Sequence, residues 1–134
     1  MKDNQLDYWG LTVLGLLMAA NGAFMFFTPE LWFETVPGVK RTGPPNTHFI
    51  RDVAVTYAGV GALLILAARN VSRRALYAGL GGGWLALHGL VHLYELATCI
   101  APLTSVQVDF GGVYLPALLA LWLALRAKQK ETAA

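Results

Sequence analysis

Three histidines, His48, His88 and His92, stand among the 134 residues, and His48 and His92 each have an acidic residue within one helical turn. His88 and His92 are spaced i,i+4 and His92 and Glu95 i,i+3, so on a helix the three share one face. His48 and Asp52 repeat the i,i+4 spacing. Imidazole and carboxylate groups on facing helices are a donor set for copper, zinc or iron. His48, Asp52, His88, His92 and Glu95 would supply three or four ligands between them. The order His-x3-His-x2-Glu differs from the zincin His-Glu-x-x-His and reverses the Glu-x-x-His of di-iron bundles. His88 and His92 on one helix do not flank a single haem iron, so a haem would need His48 from across the bundle. Two further readings stand beside the metal site. In one, Arg51, Tyr57 and Tyr114 complete a pocket for a quinone, a lipid or another small ligand, with Arg51 holding an anionic group. In the other, the same residues form a polar network that fixes the helices, Arg51 pairing with Asp52 or Glu95 and the histidines bonding to Tyr57, Tyr114 or Asn21.

The elements that carry these residues follow from composition. Hydrophobic residues make up 56% of the chain and charged ones 13%, against roughly 45–50% and about 25% in a soluble domain. A small soluble protein needs more charge than this to cover its surface. The partner is therefore a lipid bilayer, and a net charge of +2 gives no reason to expect nucleic acid. The lone Cys99 excludes an internal disulfide and a Cys-only zinc site. Charges are absent from residues 8–27, 53–68, 75–94 and 110–125. A membrane-spanning helix takes about 20 apolar residues, fewer when polar residues cap it. The pattern predicts an all-α, four-transmembrane-helix bundle with spans at about 6–27, 47–69, 73–97 and 108–127, in one domain over 1–134. Residues 1–7 set Lys2 against Asp3 and Asp7, so the first run lacks a signal peptide's positive start and reads as an uncleaved span.

With four spans, the termini and the second loop share a side. Lys2, Arg69, Arg73, Arg74, Arg126, Lys128 and Lys130 lie there, seven against the three of Lys40, Arg41 and Arg51. The positive-inside rule then places both termini in the cytoplasm, the membrane being a bacterial inner membrane or its equivalent. Arg69, Arg73 and Arg74 read as topology anchors against anionic headgroups. Counting 1.5 Å per residue from Arg74 puts His88 about 21 Å, His92 about 27 Å and Glu95 about 32 Å along their helix. The outward end thus collects every histidine and five carboxylates, Glu30, Glu34, Asp52, Glu95 and Asp109.

Local punctuation fits this scheme. Thr28-Pro29-Glu30 starts a short helix expected to lie in the outer interface, with Thr28 as N-cap and Trp32 at headgroup level. Asn46 or Thr47 caps the second span and Ser72 the third. Pro116 should kink the fourth or free a carbonyl near Gly112. Small residues predict close helix contacts: Ala54, Ala58 and Ala62 with Gly59 and Gly61 on the second span, and Gly79 and Gly83, with Gly81 and Gly82, on the third. Packing within one bundle is the simple use of these residues, and a homodimer through the third span is the other.

Thr28-Pro29-Glu30-Leu31 after the first span, Arg51-Asp52 opening the second with Gly59 following, and the overall length resemble small four-helix bacterial membrane proteins of the DoxX-like type. That resemblance implies an accessory membrane subunit, in some cases one associated with redox complexes. The histidines of the third span have no counterpart in the pattern. The expectation is therefore an accessory or ligand-binding subunit of a membrane complex with an outward His/carboxylate site. The alternative is a metal-dependent membrane enzyme or redox subunit using that site.

Overall fold

The structure, a computed structural model, describes residues 2–132; Met1 of the amino-terminal segment lies outside them. Among the described residues every regular element is helical. Helix α1 spans Lys2–Phe27, α2 Pro29–Thr35, α3 Thr47–Arg69 and α4 Arg74–Ala97. After a loop come α5 at Ser105–Asp109, a π-helical turn at Phe110–Tyr114, and α6 at Leu115–Thr132. Short 3-10 turns at Val39–Thr42 and Val71–Arg73 complete the connections.

Three stretches are long and apolar enough to cross a membrane: Gln5–Phe27, Thr47–Arg69 and Ser105–Thr132, with mean hydropathy of 1.8, 1.7 and 1.7. Only about a third of each is buried within the fold. The remainder presents Val13, Leu16, Leu17, Val55, Leu66, Leu118 and Leu125 outward. A water-soluble monomer rarely exposes so much contiguous apolar surface, whereas acyl chains cover it without cost. Helix α4 has 24 residues, which equals the others in reach, but its glycines and two histidines replace aliphatic side chains and lower its hydropathy.

The long helices run antiparallel to their neighbours in the order α1, α3, α4, α6. Helices α1 and α3 are in backbone contact. A Cβ on Gly22 would lie 2.7 Å from the Ala54 carbonyl oxygen and 2.8 Å from the Ala58 nitrogen. One on Gly61 would lie 2.7 Å from both the Ala19 nitrogen and the Gly15 oxygen. On α4 it is Gly81 and Gly82 that face inward, against Leu64 and Ala120, while Gly59, Gly79 and Gly83 have open space beside them. The expected Gly79/Gly83 pair is therefore not an internal contact. Around these approaches Leu11, Met25, Leu64, Leu85 and Leu123 fill the core.

The caps follow chemistry that spacing alone anticipates in part. The Asn46 side chain accepts from the Phe49 amide at 3.1 Å and starts α3. Thr28 holds the N-cap position of α2 without capping it, because its hydroxyl donates back to the Phe24 carbonyl at 3.0 Å. Ser72 does not cap α4 either; its hydroxyl donates to Asn70 Oδ1 at 2.9 Å within the turn. Trp32 lies half-buried, folded back so that its indole N–H donates to Asn21 Oδ1 at 3.1 Å. Pro116 is the second residue of α6, one residue beyond the π-helical turn at Phe110–Tyr114. Helix α4 ends in a Schellman motif. The Ile100 amide donates to the Glu95 carbonyl and the Cys99 amide to Leu96, with Cys99 left-handed at φ 59°.

Candidate functional site

At the end of the bundle away from the termini, one face of α4 meets the segment that leads into α6. His92 and His88 project from that face because they are one helical turn apart. Asp109, the last residue of α5, is brought opposite them: its Oδ2 lies 3.0 Å from His92 Nδ1. An ionised carboxylate only accepts hydrogen bonds, so Asp109 Oδ2 accepts from the Nδ1–H of His92, and in that neutral tautomer Nε2 is left as an acceptor. The two side chains are 26% and 15% exposed, which leaves the imidazole reachable from one side.

His88 backs this pair. Its ring stacks on Trp84, with centroids 5.5 Å apart and planes 5° from parallel. It meets the edge of Tyr57 at 5.8 Å and the ring of His92 at 4.9 Å. Tyr57 also sits edge-on to Trp84 at 5.3 Å and is buried. The half-buried Tyr114 ring occupies the space left by Gly89, where a Cβ would come within 3.5 Å of it. The result is a row from Tyr57 through His88 and His92 to Asp109, walled by Trp84 and Tyr114. Such a row offers a hydrogen-bonding imidazole at the edge of an aromatic surface.

The remaining predicted site residues go elsewhere. His48 and Asp52 pair with each other on α3 at 3.4 Å, but their side chains are 88% and 62% exposed and stay apart from the α4 row. Arg51 forms no ion pair with Asp52 or Glu95 among the described residues; its Nε donates to the Phe26 carbonyl at 3.1 Å. That carbonyl is among the last four of α1, which lack helical partners and carry the negative end of the dipole, so a cation settles there. Glu95 is half-buried one turn past His92, and its backbone carbonyl closes the Schellman turn. Among the described residues no group of three or more His, Cys, Asp or Glu side chains is placed to hold a metal ion. The five-residue metal grouping of His48, Asp52, His88, His92 and Glu95 is thus not assembled. The i,i+4 spacings are real, but α3 presents its pair to the outside while α4 presents its pair to α5. Glu34 in the last turn of α2 and Lys40 in the following 3-10 turn form an exposed ion pair.

Spacing within each segment did not disclose a second polar centre at the opposite end. Asp7 is fully buried, with Arg126 Nε at 2.8 Å, Lys130 Nζ at 2.5 Å and an Arg74 nitrogen at 3.8 Å. Arg74, itself 4% exposed, also donates from Nε to the Ala67 carbonyl at 3.1 Å and from a terminal nitrogen to Ala68 at 3.0 Å. These are carbonyls of the last turn of α3. Arg74 is therefore no headgroup anchor but the centre of a clamp joining α1, α3, α4 and α6. The available signal was the i,i+4 spacing of Arg126 and Lys130, which puts two cations on one face beside the start of α1.

A search of protein-family models, of characterised proteins and of solved structures finds no match to this chain.

Proposed function

We propose that the chain is a four-span integral membrane protein that binds a small amphipathic ligand with a protic ring headgroup, of the quinol type, at its outward His92–Asp109 pair. In this reading it serves as an accessory subunit of a membrane complex. α4 is the fourth span: it lies packed between α3 and α6 and its 24 residues match the 23 of α3, so its polar inner face is screened by its neighbours rather than by water. Both termini are then cytoplasmic and the row of Tyr57, His88, His92 and Asp109 lies in the outer half of a bacterial inner membrane. The accessory role follows the DoxX-like resemblance. The open face around Gly79 and Gly83 is where another membrane subunit, or a second copy, approaches closely.

The observation that carries the ligand reading is the 3.0 Å His92–Asp109 contact, which commits Nδ1 and leaves Nε2 to accept a ligand hydroxyl. Trp84 and Tyr114, the half-buried rings that wall the row, supply the apolar surface that a ring headgroup needs. Saturable quenching of Trp84 fluorescence by a short-chain benzoquinol tests it, with Trp84→Phe identifying the signal. Asp109→Asn should weaken binding at least about tenfold, the worth of one charge-assisted hydrogen bond. Equal affinity of Asp109→Asn and the unaltered protein would refute the assignment.

A further inference from the structure

The ring of long helices is not equally tight all round. α1 packs on α3, α3 on α4 and α4 on α6, but α1 and α6 meet sparingly. Their seam is pinned at the end bearing the termini, where Asp7 of α1 receives Arg126 and Lys130 of α6. Just beyond the clamp the seam opens into an apolar groove of about 390 Å³ lined by Trp9, Gly10, Val13, Leu14, Leu17 and Leu119. A second depression of about 310 Å³ lies at the clamp itself, where Arg74, Lys130 and Ser72 face Asp7 and Glu131. Both are within the roughly 300–1,000 Å³ of small-molecule sites.

Depth and charge together identify the occupant. Along α1 the groove runs from about 3 to about 15 Å past Asp7, the first stretch of acyl chain below a headgroup. Among the described side chains this end carries six basic residues, Arg69, Arg73, Arg74, Arg126, Lys128 and Lys130, against the acidic Asp7 and Glu131. Arg126 also lies over the Trp122 ring at 5.5 Å, which places a guanidinium beside the lipid-facing surface. We infer that the α1–α6 seam binds one anionic phospholipid, its phosphate at Lys130 and Arg126 and one acyl chain in the Trp9–Leu119 groove. Basic pockets between membrane helices suit anionic headgroups, and the apolar groove beside this one retains the tail. The site is separate from the His92–Asp109 row and depends only on the helices being in a bilayer.

Native mass spectrometry of the detergent-solubilised full chain tests this, using phosphatidylglycerol and phosphatidylcholine of identical acyl chains as probes. One phosphatidylglycerol should stay bound in preference to phosphatidylcholine. Val13→Trp and Leu17→Trp fill the groove from its exposed rim, leave the clamp untouched, and should each abolish the bound peak while the helical signal and melting temperature hold. Lys130→Gln should cut the preference for phosphatidylglycerol about fivefold, the worth of one basic residue near an anionic surface. Equal retention of both lipids, or undiminished binding by the two folded tryptophan variants, would overturn the inference.

Discussion

Asp7 and Cys99 each do more for this fold than their surroundings in sequence suggest. Asp7 is a fully buried carboxylate with two cations within hydrogen-bond distance and a third at 3.8 Å. Removing one partner of a buried ion cluster leaves the others desolvated and uncompensated. Asp7→Asn should therefore lower stability by about 3–5 kcal/mol in detergent unfolding experiments. Cys99 takes a left-handed backbone conformation at φ 59°, which burdens any residue with a Cβ by about 1–2 kcal/mol. Cys99→Gly should raise the unfolding free energy by roughly 1 kcal/mol, because glycine suits the position that closes a Schellman motif. Much of the residue-scale pattern could be read in advance. The i,i+4 pairing of His88 with His92, the Asn46 cap and the pairing of His48 with Asp52 all follow from local spacing. The His92–Asp109 contact and the Asp7 clamp do not, because they join positions 17 and up to 123 apart in the chain. Weighing Asp7 only against its neighbour Lys2 concealed the cations at the far end of α6.

At the scale of elements, the helices agree closely with the charge-free runs. The expected 47–69 is α3 to the residue, and 6–27 and 73–97 differ from α1 and α4 only at their starts. The expected span at 108–127 is divided in the structure into α5, a π-helical turn and α6. Charge-free runs do not register that division, since the turn residues Phe110–Tyr114 carry no charge and continue into the apolar start of α6. Glycine content showed that close packing would occur but not which glycines would serve. Only those facing a neighbour matter, and facing depends on how each helix is rotated in the bundle. This distinction has a measurable form. Gly61→Val drives a side chain into the α1 backbone and should cost at least about 1–3 kcal/mol. Gly83→Ala meets nothing within 4 Å and should stabilise α4 by up to about 1 kcal/mol. Paired melting curves of the two variants would show opposite shifts.

For the whole molecule, charge is divided between two ends with different physics. The end with the termini gathers arginine and lysine around one buried carboxylate and holds four helices together. The opposite end sets two histidines and a carboxylate, mostly buried, against an aromatic wall. Helix α4 connects them, starting at Arg74 in the clamp and carrying His88 and His92 to the far side. If α4 did not cross the bilayer, the two ends would lie on one side and the proposed site would lose its place in the outer leaflet. The chain contains a single cysteine, Cys99, exposed just beyond the end of α4, while the exposed Ser72 precedes its start. The most direct measurement is labelling with a membrane-impermeant maleimide in spheroplasts, before and after permeabilisation. Cys99 should react in intact spheroplasts, and the Cys99→Ser/Ser72→Cys variant only once the membrane is opened. Reaction of both positions from the same side would contradict a membrane-crossing α4, and with it the outward location of the His92–Asp109 site.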